Sequence, residues 1–125
     1  MSTLRVSTIQ DTAGSNSSTP AAIANGIAKA WVNFNGTGTV AIRAQYNVSS
    51  ITDNGVGDYT VNFTTAMADA NYVVTGTMGD YIPTNTARSV SVSTATAPTT
   101  SAVRIVNIGT GGAEDQARVS VAIFR

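Results

Sequence analysis

The chain has 125 residues, the size of one ordinary domain, and 42% of them are hydrophobic, enough for a core. Charged residues are only 11%, far under the usual level of about 25%, and seven basic residues balance seven acidic ones with no basic run, which argues against a nucleic-acid partner. Cysteine and histidine are both absent, which removes disulfides, thiolate nucleophiles, zinc–sulfur sites and the commonest general base.

Ser and Thr are roughly a quarter of the chain and often alternate with Val or Ile, the pattern of a two-faced β surface that is polar on one side without charge. No apolar segment approaches the roughly 20 residues needed to cross a bilayer, so no membrane insertion is expected. The first residues are polar and have no signal-peptide core.

Residues 2–19 carry three large apolar side chains, Leu4, Val6 and Ile9, followed by DTAGSNSSTP, a loop composition. Such a segment has no core of its own. It either dangles or lies against a partner protein or a symmetry mate. Residues 20–28 are predicted as a short helix, with Thr19 as N-cap, Pro20 at the first helical position and Ile23 and Ile27 on one face. Residues 1–28 therefore read as an extended anchor segment with a short helix, and residues 29–125 as a β domain.

From Lys29 the apolar period becomes two. Val32 and Phe34 point one way, Trp31 and Asn33 the other. Asn35-Gly36-Thr37-Gly38 is a hairpin turn. Thr39 to Tyr46 should place Val40, Ile42, Ala44 and Tyr46 inward. Val48 to Thr52 is a short strand, Asp53 to Gly57 a second turn, and Asp58 to Thr64 a strand with Tyr59, Val61 and Phe63 on one face. Further strands are expected over Asn71–Gly79, Arg88–Thr96, Ala102–Ile108 and Ala117–Phe124, the last with Val119, Val121 and Ile123 inward. About eight strands at this spacing predict an all-β fold, an antiparallel β-sandwich with a jelly roll as the variant. Trp31 and Phe124 lie opposite their strands' main apolar rows, which suits burial by a subunit or partner.

No motif carries catalytic chemistry. Asp53 to Asp58 faintly suggests a calcium loop, but no Glu closes it and a hairpin turn explains each residue. Asp53, Asp58, Asp69, Asp80, Glu114 and Asp115 fall almost entirely in turns, where Asp serves the backbone. No Gly-x-Ser-x-Gly pattern exists, and Gly109 to Gly112 leads into a strand without Lys or helix. The chain is expected to be no enzyme and to need no metal or other cofactor. Tyr81, in an irregular loop, is the remaining candidate contact residue with Trp31 and Phe124.

The stretch Lys29–Met67, KAWVNFNGTGTVAIRAQYNVSSITDNGVGDYTVNFTTAM, resembles a module of tail-fibre and related virion proteins of tailed bacteriophages, notably marine and cyanobacterial ones. DANYVVTGT continues the likeness loosely, and LRVSTIQD resembles the lead segment of those proteins. The shared words are turn and strand residues. They imply a fold and a setting: localisation in the virion, most closely a short tail fibre or tail-associated host-attachment module. The alternative is a capsid-decorating or adaptor protein. Tail fibres are often several hundred residues long, whereas here the module is nearly the whole chain. The resemblance also implies a homotrimer, where the residues alone allow a dimer or a higher ring. Other virion proteins would hold Leu4, Val6 and Ile9, and a host surface glycan or receptor would meet Trp31, Tyr81 and Phe124.

Overall fold

The structure is a computed structural model and describes residues 1–79 and 88–125; Tyr81 and Asp80 lie outside the described residues. The N-terminal segment contains a two-residue antiparallel ladder, β1 (Ile9–Gln10) against β2 (Ser17–Ser18). Asp11 builds the turn between them. Its carboxylate accepts from Ser15 N–H at 2.9 Å and from Asn16 Nδ2 at 2.8 Å. These bonds, Ser15 N–H foremost, hold the carboxyl below its usual range. Helix α1 (Pro20–Gly26) begins as expected: Thr19 Oγ1 accepts from Ala22 N–H at 3.1 Å, and proline opens the first turn. None of its residues is buried.

The rest is β3 (Ala30–Asn35), β4 (Ala41–Tyr46), β5 (Val48–Gly55), β6 (Asp58–Phe63), β7 (Val73–Gly79), β8 (Ser89–Val92), β9 (Ala102–Gly109), β10 (Gly112–Ala113) and β11 (Arg118–Phe124). One sheet has the order β4-β3-β11-β7. The other runs β5-β6-β9, with β8 and the short β10 both paired to β9. Every pairing is antiparallel. Between the sheets lie Ala30, Val32 and Phe34 of β3, Val119, Val121 and Ile123 of β11, Tyr59, Val61 and Phe63 of β6, and Val103 and Ile105 of β9. Phe34 and Tyr59 meet edge to face across the sandwich, ring centres 5.1 Å apart. The fold is thus the expected antiparallel β-sandwich. Its hairpins β3–β4 and β5–β6 keep consecutive strands in one sheet, whereas a jelly roll sends consecutive strands to opposite sheets.

Val32, Phe34, Tyr59, Val61 and Phe63 are buried as their alternation requires, and Val40 and Ile42 pack against them half-buried. β4 corrects the expectation for Ala44 and Tyr46, which face outward. Phe34 pairs with Ile42 but Asn33 with Ala44, so Arg43 is an extra residue, a β-bulge. One inserted residue reverses the inside–outside phase for everything after it. Arg43 turns its guanidinium back onto the strand ends, donating from Nη1 to Ala117 O at 2.5 Å.

A single residue, Asn47, separates β4 from β5 and carries the chain from one sheet to the other. Its φ of 54° is left-handed, a region Asn tolerates better than most residues. The carboxamide fixes the corner: Nδ2 donates to Lys29 O and Thr65 O, each at 3.1 Å, and Oδ1 accepts from Thr65 N–H at 2.7 Å.

Candidate functional site

The outer face of the four-stranded sheet is built by the residues between the core positions. Trp31 lies between Tyr46 on β4 and Ala122 on β11, and Ala122 is opposite Thr75 on β7. The next row is Ala44, Asn33, Ser120 and Thr77. Phe124 pairs with Val73 at the end of the sheet. Small side chains in the middle strands leave a shallow groove of about 310 Å³, walled on one side by Trp31 and floored by Ser120 and Ala122. Asn33 Nδ2 donates to Ser120 Oγ at 2.8 Å, which fixes the carboxamide across the strands. Trp31 is 40% exposed and Tyr46 56%, while Phe124 is half-buried.

The bulge in β4 is what brings Tyr46 to this face. It also borders a second cleft of about 600 Å³ at the end of the sandwich, lined by Lys29, Asn47, Thr65, Met67 and Arg125. Tyr46 joins the two surfaces into one corner.

Of the sequence-predicted contact residues, the structure brings Trp31 and Phe124 onto one face, Phe124 two residues along β11 from the partner of Trp31. Leu4 and Val6 precede β1, and Ile9 opens it. Leu4 is 87% exposed, and Val6 and Ile9 are exposed too.

The carboxylates are tied into the framework. Arg104 grips Asp58 with Nε at 2.8 Å and Nη2 at 2.6 Å, and this bond holds the Asp58 carboxyl below its usual range. Arg125 does the same for exposed Asp69, at 2.8 and 2.5 Å. Glu114 pairs with Arg88 at 2.6 Å. Asp53 accepts from Gly55 N–H at 3.0 Å at the end of β5, ahead of the turn at Val56 and Gly57. Among the described residues no group of three or more acidic side chains gathers into a possible metal site.

Compared with protein-family models, with curated proteins and with solved structures, the chain matches none of them.

Proposed function

We propose that the chain is a structural protein of a tailed-phage virion, a short tail fibre or tail-associated attachment module that works by shape and hydrogen bonding. The observation that carries this reading is the outer face of the β4-β3-β11-β7 sheet. It sets aromatic side chains, carboxamides and hydroxyls on a rigid, nearly uncharged surface. Rigid aromatics bring large contact area at small entropic cost, and hydroxyls and amides supply direction. The likeness of residues 29–67 to virion modules supports the setting.

The N-terminal segment supports a second contact. A two-residue ladder and a seven-residue helix are each marginal alone. Leu4, Val6 and Ile9 then present apolar area to a protein of the particle, while the sandwiches associate as a homotrimer. A capsid-decorating or adaptor protein would use the same arm without any receptor contact, and the exposed arm favours that reading as the second.

Binding of the purified chain to host cells and to envelope glycans separates the two. An attachment module binds, and Trp31→Ala lowers binding at least tenfold while leaving the melting temperature nearly unchanged. If wild type and variant bind equally, the contact lies away from Trp31 and the outer face is refuted as the binding surface; if neither binds although both incorporate into particles, attachment is refuted and the adaptor stands. Light scattering reads the assembly, and a compact 12.8 kDa species at micromolar concentration would exclude the trimer.

A further inference from the structure

The core is apolar except at the end where β6 begins and β9 finishes. There the inward alternation Val103, Ile105, Asn107 carries a carboxamide into the interior with no exposed surface. Among the described residues, both of its polar atoms, Nδ2 and Oδ1, are buried without a hydrogen-bond partner, and so is Oε1 of Gln116, a residue 5% exposed. The backbone groups of these two residues sit at the ends of one hydrogen-bonded chain. Gln116 O accepts from Gly36 N–H at 2.9 Å, and Gly36 O accepts from the Tyr59 hydroxyl at 2.8 Å. The same hydroxyl lies 2.5 Å from Asp115 Oδ1, which accepts from Gly57 N–H at 2.7 Å. Gly57 O in turn accepts from Asn107 N–H at 2.7 Å. The backbone and hydroxyl groups of this chain are satisfied, whereas the Asn107 carboxamide and Gln116 Oε1 have no partner among the described residues.

We infer that this end of the core is a built site for internal water, with at least one molecule bonded to the Asn107 carboxamide. Leaving a buried amide unpaired is costly enough to be rare in folded proteins. The carboxamide also selects its ligand. A cation would face the Asn107 amide donor, and an anion would face its acceptor oxygen. Reversing the Asn107 carboxamide still leaves one donor and one acceptor. A neutral molecule that both donates and accepts fits, as an internal water does. Two glycines keep the site tight. A Cβ on Gly36 would stand 2.5 Å from the Tyr59 hydroxyl, and one on Gly57 would stand 2.9 Å from Asn107 O.

The test is water-selective NOE and ROE spectroscopy on the full ¹⁵N-labelled chain. Cross-peaks of opposite sign in the two experiments, from water to the Asn107 Nδ2 protons, mark a molecule held longer than the protein tumbles. Asn107→Leu, which fills the volume with an apolar group, should fold and lose those cross-peaks at the neighbouring Gly57 and Tyr59 amides. Absence of the Asn107 cross-peaks in the wild type, or the same sign in both experiments, overturns the inference. So does persistence of the neighbouring cross-peaks in Asn107→Leu. If that variant does not fold, the wild-type spectra decide alone.

Discussion

Phe34 and Trp31 stand on one strand, β3, and meet opposite conditions. Phe34 faces the second sheet, has no exposed surface and touches the ring of Tyr59. Trp31 faces away, beside exposed Tyr46, over a row of Ser, Thr and Ala. The strand is the same, and the difference lies in what covers each face. The inner face holds the fold together. The outer one is free to hold something else.

Truncation should separate these roles most sharply on the inner side. Phe34→Ala is expected to cost about 3–5 kcal/mol in chemical denaturation, because the cavity cannot collapse between two sheets. An unchanged midpoint would mean that the faces are reversed. Tyr59→Phe keeps the ring and removes the hydroxyl that bonds Gly36 and Asp115, and should cost about 1–2 kcal/mol. That hydroxyl titrates above its usual range, first from burial and then from Asp115, so ultraviolet titration of the folded protein should leave Tyr59 neutral at a pH where a free tyrosine has ionised.

The pair Asp58–Arg104 is partly exposed, and screening limits it to about 1 kcal/mol or less. Its sign is set by the depressed Asp58 pKa. The contribution is present above the unfolded carboxyl pKa near 3.8 and is lost as pH falls through the lower folded value. Melting curves of wild type and Asp58→Asn should therefore differ at neutral pH and converge in strong acid. Trp31→Ala on the outer face should shift stability by about 1 kcal/mol or less while weakening association or host binding. Removing residues 1–19 should leave the melting temperature of the sandwich unmoved. A large loss in either of the last two would show that the outer face or the arm supports the fold itself.

Much of the inner face was legible. In β6 and β11 each second residue is large and apolar, and burial follows that rhythm without exception. Asn107 was legible in the same way, since it continues the phase of Val103 and Ile105. The polar identity masked it. The outer face was harder, because a bulge at Arg43 has no local signature in its own strand and shows only in the pairing with β3. Alternation alone therefore puts Tyr46 in the core and hides its place beside Trp31. The β1–β2 ladder leaves no trace in the sequence for another reason: two-residue strands carry no period, and only the reach of Asp11 to Ser15 and Asn16 closes them.

The arrangement of the first and last sandwich strands has a mechanical meaning. β3 and β11 lie side by side and antiparallel, and Lys29 N–H bonds Ile123 O at 2.7 Å where the arm joins the domain. Tension applied between the arm and Arg125 thus enters and leaves at the same corner. It opens the β3–β11 ladder like a zipper, from Ala30–Ile123 towards Phe34–Val119, so that the hydrogen bonds take the load in turn instead of sharing it. Trp31–Ala122 is the second rung of that ladder. A pull strong enough to peel the domain would disturb the aromatic face almost at once, while the β5-β6-β9 sheet carried no load.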